Sequence, residues 1–517
     1  MKKTVVLLIL DGFGLGRKDV SNPIHVAGTP TLDFLKKNYR YGALEASGIA
    51  VGLPWNEEGN SEVGHITLGA GKVIYQHYPR ISITIQNGSF FDNAVLKKTI
   101  ARTKTKGGAV HLIGALTSGH VHAAQDHLEA LVKFTKNEGV SKLFLHLITD
   151  GRDSPPQSGA ELLRQTETLL METGLGSIAT VGGRYYGMDR DEHYDRTAKF
   201  YNAIFGKGKI APDGISWLKK NYTDGLNDEY AEPAQTDTDG APKDGDALIF
   251  FNFREDGIKQ LAECFAAPDF SAFEKVALKD MAIAFFTNYS SRLAIPVAFP
   301  SDTVKNPLGA ILAANDKTQL RVAETEKYAH VTYFFNGLRE EHFTNEYRVL
   351  IPSENIARHD EHPEMRAGEI TARIVASLGE GGVDFILANL ANPDIIAHTG
   401  NFEAGIKAAQ IIDEEIKRIY DACLAAEAYL IITSDHGNLE QMRDPLTGEI
   451  ETKHNKNPVP IYLINQNFVN PKNQSVVEKA ETEVAGILSD VAPTVLELLG
   501  LPIPPEMTGI SLLNILK

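Results

Sequence analysis

Residues 429–438 read Tyr-Leu-Ile-Ile-Thr-Ser-Asp-His-Gly-Asn, a short apolar run that ends in Asp435-His436. Its length and β-branched content predict a buried parallel strand, with polar groups delivered at its carboxyl end. Val5–Leu10 runs in the same way into Asp11. Phe385–Leu387 leads through Ala388-Asn389-Leu390 to Asp394. Helical patterns at Ile370–Leu378, Ala404–Arg418 and Ala480–Leu488 lie between and after these runs. Strand and helix in alternation predict a doubly wound, mostly parallel α/β sheet. Ligands gather beyond the carboxyl ends of such strands, so Asp11, Asp394 and Asp435 should converge.

The middle of the chain repeats the pattern with a different chemistry. Val110–Leu116 leads to His120 and His122, and Leu143–Ile148 to Asp150-Gly151-Arg152-Asp153. Ile178–Val181 leads to Arg184, and Ala247–Phe253 to Arg254. These strand ends offer Arg and His rather than Asp and His. The expected organisation is two α/β domains, one inserted into the other. Residues 1–76 with 305–517 would form the discontinuous domain that carries the Asp and His strand ends, and 77–304 the inserted domain that carries the Arg and His ones. Proline-containing hinges are placed near Gln76–Pro79 and Pro296–Pro307.

Length and composition bound the alternatives. The 517 residues suit two to three domains, with 43% apolar and 23% charged residues, as in ordinary globular proteins. A net charge of −16 should repel nucleic acid and anionic membrane, so an anionic substrate needs a local cationic pocket. Only Cys264 and Cys423 could pair, which fits a reducing compartment. Lys2, Lys3 and the six-residue apolar run that follows lack the length and cleavage site of a signal peptide. A cytoplasmic monomer is expected.

Three constellations carry chemistry. In Asn392-Pro393-Asp394-Ile395-Ile396-Ala397-His398, a helix starting at the proline would put Asp394 and His398 one turn apart, able to grip one cation. The alternative is a capping Asp followed by a solvated His. Asp435 and His436 can act together only if the chain turns, which Gly437 permits. His454, on a loop, is the weakest member. Together Asp11, Asp394, Asp435, His398, His436 and His454 are hard oxygen and imidazole donors suited to Mn²⁺, Mg²⁺ or Zn²⁺, and enough for two ions. Gly59-Asn60-Ser61-Glu62-Val63-Gly64-His65 offers Ser61 as a nucleophile between glycines, where backbone can approach a phosphate. Arg152, Arg184, Arg190, Arg254 and Lys327 supply the positive charge that a phosphorylated small acid requires.

With these residues in view, the chain resembles the cofactor-independent phosphoglycerate mutases of the alkaline phosphatase superfamily over essentially its whole length. The likeness rests on Leu10-Asp11-Gly12-Phe13-Gly14, the serine heptapeptide, Asp150-Gly151-Arg152-Asp153, Gly183-Arg184-Tyr185-Tyr186, Met188-Asp189-Arg190, Phe251-Asn252-Phe253-Arg254, Glu326-Lys327-Tyr328, Asn392-Pro393-Asp394, Asp435-His436-Gly437-Asn438 and Asn457-Pro458-Val459-Pro460. The resemblance implies one metal on Asp394, His398 and His454, and another on Asp11, Asp435, His436 and Ser61. Manganese is expected first, with magnesium, zinc or cobalt as alternatives, and no bisphosphoglycerate. It implies that Ser61 takes the phosphoryl group from 3-phosphoglycerate and returns it to the 2-hydroxyl. His122, Arg152, Asp153, Arg184, Arg190, Arg254 and Lys327 would bind substrate, with Asp153 as proton carrier and Lys327 beside the moving phosphoryl group. The two sets fall on different domains, so closure about the hinges is expected.

Two departures stand out. Thr117-Ser118-Gly119-His120-Val121-His122-Ala123 replaces the family's Ser-Asp-Gly-Gly-Val-His-Ser, and Gly257 stands where a second arginine follows Phe-Arg-x-Asp. His120 or Lys259 could restore part of the lost contact. Three rivals remain: a phosphatase or other phosphomutase of the same superfamily, an amidohydrolase built on His120-x-His122, and a metal-binding relative without turnover.

Overall fold

A computed structural model describes residues 3–516; Lys2 of the N-terminal check lies outside the described residues. The chain forms two compact units, Met1–Gln76 with Asp302–Lys517, and His77–Ser301. Each is an α/β unit built on one sheet, as the alternation of strands and helices predicts.

The first unit carries eight strands in the order Glu346–Ile351, Gln319–Glu324, Phe385–Leu390, Val5–Leu10, Tyr429–Thr433, Val459–Ile464, Arg40–Glu45 and Val484–Ile487. The first five run parallel; Val459–Ile464 is antiparallel to both its neighbours. Val5–Leu10 shows why the apolar runs are unbroken. Val6, Leu8 and Leu10 enter one core while Val5, Leu7 and Ile9 enter the other, and all six are fully buried. Each such side chain contributes about 1.5–3 kcal/mol on burial, so a one-residue slip is strongly disfavoured. The register therefore holds the strand ends level, and those ends carry Asp11 and the approach to Asp435.

Helices Ala367–Glu380 and Phe402–Ala425 contain the first two helical patterns. The third differs. Gln474–Thr482 is helix, but Val484–Ile487 is an edge strand parallel to Arg40–Glu45. Gly486 weakens a helix there, and β-branched Val484 and Ile487 suit a strand, so sheet pairing overrides the local apolar spacing.

The second unit has seven strands in the order Lys209–Ile210, Ala234–Gln235, Ser177–Gly183, Leu143–Thr149, Val110–Leu116, Ala247–Phe250 and Ala282–Phe285. The expected strand Ala247–Phe253 stops at Phe250. Beyond it Asn252 Oδ1 accepts from Ala115 N at 2.9 Å, so a side chain takes over from the ladder.

A buried polar chain crosses this sheet. Asp246 Oδ2 accepts from His111 Nε2 at 3.2 Å, which leaves His111 Nδ1 to accept from His146 Nε2 at 3.0 Å. His146 Nδ1 then accepts from Thr180 Oγ1 at 2.9 Å, so both imidazoles are neutral. Burial, reinforced by His111, holds the His146 pKa well below the usual histidine value. The unfolded chain takes up protons below about pH 6.5 while His146 stays neutral, so each further pH unit costs up to about 1.4 kcal/mol. The melting temperature should accordingly fall between pH 7 and pH 5, and His146→Leu should flatten that slope. An unchanged slope in the variant rejects the assignment.

Cys264 and Cys423 are buried free thiols, one in each unit. Among the described residues no helix is long and apolar enough to cross a membrane.

Candidate active site

Asp11 follows its strand directly, and the next residue, Gly12, has φ +67°. A Cβ on Gly12 would stand 2.8 Å from Asp394 Cβ, so only glycine lets these two carboxylate-bearing segments meet. Helix Asn392–His398 has Pro393 in its first turn and places Asp394 and His398 one turn apart. Asp394 Oδ1 lies 3.2 Å from His398 Nε2 and 3.2 Å from His454 Nε2. The two imidazole Nε2 atoms are 3.1 Å apart.

Their opposite nitrogens settle what these atoms can do. His398 Nδ1 donates to Thr452 O at 2.8 Å, and His454 Nδ1 donates to Gly59 O at 2.9 Å. Both Nε2 atoms therefore point at the Asp394 carboxylate, whose hydrogen bond raises the His398 pKa. Backbone carbonyls that orient ligating histidines in this way are typical of metal sites. The loop residue His454, weakest in the sequence, is thus held as firmly as the others.

The second group is Asp11, Asp435 and His436, all fully buried and close enough to share one ion. Ser61 joins it as the first residue of helix Ser61–Ala70, capped by Asn60 Oδ1, which accepts from Val63 N at 2.9 Å. Ser61 Oγ donates to Asp11 Oδ1 at 3.1 Å and lies 2.9 Å from His436 Nε2. Glycines flank this serine for packing. A Cβ on Gly59 would stand 2.2 Å from Ala46 O, and one on Gly64 2.6 Å from Asp435 O. The tight approach thus brings the helix start onto the Asp435-His436 loop. Gly437 likewise needs no left-handed turn; a Cβ there would strike Asn455 Oδ1 at 2.4 Å.

Lys327, buried at the end of the 3₁₀ turn Thr325–Lys327, joins both groups. Its Nζ donates to Asp11 Oδ1 at 2.6 Å, Asp394 Oδ2 at 2.7 Å and Ser61 Oγ at 2.9 Å. Burial alone pulls its pKa down, but Asp11, Asp394 and Asp435 outweigh that and hold it far above the usual lysine value. For His436, too, burial acts downward while Asp435, Asp11 and Asp394 push its pKa up to about 9. Three buried carboxylates against the Lys327 ammonium and a protonated His436 still leave one negative charge uncompensated, which is costly in a buried site. Divalent cations would compensate it and displace the His436 proton. The donor set therefore fits such ions.

Sequence reasoning singled out neither Asn389 nor His65 within these motifs. Asn389 Nδ2 donates to Asp11 Oδ2 at 2.6 Å and to His65 Nε2 at 3.1 Å. His65 Nδ1 in turn faces Ser61 O at 2.8 Å and Asp435 Oδ2 at 3.1 Å. The one available signal was that Asn389 is polar inside an otherwise apolar strand.

The cationic set lies in the second unit. Arg184 Nη1 pairs with Asp150 and, at 2.6 Å, with Asp153 Oδ2, while its Nη2 lies 3.2 Å from His122 Nε2. Burial and the adjacent Arg184 lower the His122 pKa. Arg190 and Arg254 share Asp256 Oδ2 at 3.0 and 3.2 Å, and His122 Nδ1 lies 3.3 Å from Asp256 Oδ1. Arg152 Nε donates to Glu229 Oε1 at 2.7 Å. A cavity of about 70 Å³ is lined by His122, Arg152, Arg184, Arg190, Arg196 and Gly257, among others. Asp153 reaches the lining through Arg184, and Arg254 only through Asp256, which pairs with the lining residue Arg190. Neither His120 nor Lys259 lines it; His120 stacks on Tyr78 with ring centroids 4.7 Å apart. The cation there that sequence reasoning missed is Arg196, held by Asp189 at 3.0 Å and stacked over Tyr185 at 4.2 Å. His120 and His122 occupy the loop after Val110–Leu116, not alternate positions of a strand, and join no group of three metal-competent side chains among the described residues.

The Metalloenzyme superfamily model matches residues 3–503. The chain is 42% identical to the 2,3-bisphosphoglycerate-independent phosphoglycerate mutase of Ectopseudomonas mendocina, over 99% of both chains. It is 43% identical to the enzyme of that name from Clostridium botulinum, over 99% of this chain and 100% of the relative. A solved structure of Leishmania mexicana phosphoglycerate mutase, obtained at low cobalt concentration, superposes with a TM-score of 0.52 at 26% identity, covering 100% of this chain and 98% of that one. Full-length likeness of this kind, on a fold that gathers a serine, a lysine and two metal-competent groups, shows that the chain belongs to the 2,3-bisphosphoglycerate-independent phosphoglycerate mutases, isomerases of the metalloenzyme superfamily.

Proposed function

We propose that the chain interconverts 3-phosphoglycerate and 2-phosphoglycerate through a phosphoserine formed on Ser61, in a cytoplasmic monomer. The observation that carries this reading is the position of Ser61 Oγ, within 3.1 Å of Lys327 Nζ, His436 Nε2 and Asp11 Oδ1 at the first residue of a helix. Asp394, His398 and His454 would hold one divalent cation and Asp11, Asp435, His436 and Ser61 another, manganese being the first choice for oxygen and imidazole donors. When bound, such ions polarise phosphoryl oxygens and make the serine hydroxyl more acidic.

The chain's own groups supply the rest. Ser61 Oγ, having given up its proton, attacks phosphorus; the bond to the 3-oxygen breaks, and that oxygen takes a proton from Asp153 as glycerate forms. The N-terminus of helix Ser61–Ala70 and the Lys327 ammonium favour the anionic phosphoryl group. His122, Arg152, Arg184, Arg190 and Arg254 orient the carboxylate and hydroxyls, while Asp153 moves the hydroxyl proton as glycerate turns. The 2-hydroxyl oxygen then attacks the phosphoserine and Ser61 leaves.

³¹P NMR of the protein with 3-phosphoglycerate and Mn²⁺, without bisphosphoglycerate, tests the reading. Growth of the 2-phosphoglycerate resonance, abolished by chelator, is expected. Inorganic phosphate in its place would make the chain a phosphatase.

Gly257 should weaken substrate binding, because a charged hydrogen bond contributes about 1.5–3 kcal/mol. A Cβ there would come closest to the flexible tip of Met188, at 2.6 Å, and stand in ordinary contact with Met188 Cβ and His122 Cε1 at 3.4 and 3.6 Å, so a larger side chain can enter once Met188 moves. Gly257→Arg is expected to lower KM about tenfold or more with little change in kcat. An unchanged KM would show that Arg196 already fills the role.

A further inference from the structure

We propose that Glu440 is a positioning residue that locks together the three chain segments that follow Asp11, Asp435 and His454. The proposal rests on the metal reading above. Glu440 is 1% exposed. Its Oε2 accepts from Gly14 N at 2.8 Å and Asn438 N at 3.0 Å, and its Oε1 accepts from Asn457 Nδ2 at 2.9 Å. These donors lie three residues beyond Asp11, Asp435 and His454 respectively. One carboxylate therefore spans the chain segments that leave three members of the metal set, drawn from both groups.

The surroundings are built for a carboxylate. All three hydrogen-bond partners are uncharged N–H donors, and an ionised carboxyl is an acceptor on both oxygens. A Cβ on Gly14 would stand 2.4 Å from Glu440 Cδ, and one on Gly437 2.5 Å from Oε1, so the loops close directly onto the group. Backbone bonds run beside it, from Leu439 N to Gly12 O at 2.9 Å and from Leu15 N to Pro458 O at 2.8 Å. The neighbouring strands have their own ladders and cores. Loss of the carboxylate should therefore loosen the loops before the sheet. Groups that hold ligating side chains in place typically govern metal affinity about 10–100-fold.

Free Mn²⁺, measured by its EPR signal in titrations of the full chain, tests the proposal, with melting of the metal-free protein in parallel. E440Q should bind Mn²⁺ about 10–100-fold more weakly while its metal-free melting temperature changes little. N457D alone should also weaken binding, because it sets two carboxylates face to face. Combining E440Q with N457D re-creates a donor–acceptor pair in reverse, and should recover most of the lost affinity. Wild-type Mn²⁺ affinity in both E440Q and E440A, the latter removing every group that Asn457 could meet by turning its amide, or a double variant no better than the worse single one, overturns the role. If E440Q fails to fold, N457A carries the test: weaker Mn²⁺ binding supports the clamp and unchanged binding overturns it. A wild-type chain that bound no Mn²⁺ would overturn the metal reading, and the proposal with it.

Discussion

Replacing Ser61 by alanine is expected to lower mutase turnover by roughly four to six orders of magnitude, as loss of a covalent nucleophile does in other enzymes. The fold should survive, because Ser61 contributes a hydroxyl to the site while Asn60 caps the helix and Gly59 and Gly64 make the close contacts. Substrate affinity should change little, since the Arg and His side chains proposed to hold substrate lie in the other unit. The decisive reading is rapid-quench detection of phosphoprotein with 3-phosphoglycerate. Wild type should label to about one phosphoryl group per chain and S61A not at all. Turnover in S61A within tenfold of wild type would make direct transfer, without phosphoserine, the better mechanism.

Lys327→Met should have the next largest effect. The ammonium bridges Asp11, Asp394 and Ser61, and in the proposed mechanism its removal takes away a fixed charge beside the moving phosphoryl group. Loss of a preorganised electrostatic contact of this kind costs about 10²–10³ in kcat. The same change leaves Asp11 and Asp394 without their ammonium partner. Stranding buried charge in this way destabilises by about 3–5 kcal/mol. The metal-free variant should therefore melt lower than wild type, and Mn²⁺ should raise its melting temperature by more. A kcat within fivefold of wild type, or equal Mn²⁺ stabilisation of the two proteins, would remove Lys327 from the chemistry.

Much of this was legible from residue order. The unbroken apolar runs mark strands covered on both faces, and their terminal polar residues mark where ligands collect. The i, i+4 spacing of Asp394 and His398 predicted a shared helix face, and one turn of helix Asn392–His398 places them 3.2 Å apart. Local pattern misled where pairing with a distant strand decides the matter. Val484–Ile487 has a helical look in isolation but completes a sheet edge against Arg40–Glu45. The glycines around Ser61 are equally opaque in one dimension, because the atoms that exclude a Cβ belong to Ala46 and Asp435.

The sequence by itself determined the layered α/β architecture, the alternation of the strands between two cores, and the chemical character of each strand end. Those properties follow from hydrophobic periodicity and from which side chains can donate or accept. Tertiary structure alone decided which distant groups touch. It set the His398–His454 pair and the carbonyls that fix their tautomers, the Asn389–His65 bridge between Asp11 and Asp435, the convergence of three loops on Glu440, and the carboxylates facing each arginine. Such contacts join residues up to several hundred positions apart, and they depend on sheet register and loop closure, which no local pattern encodes.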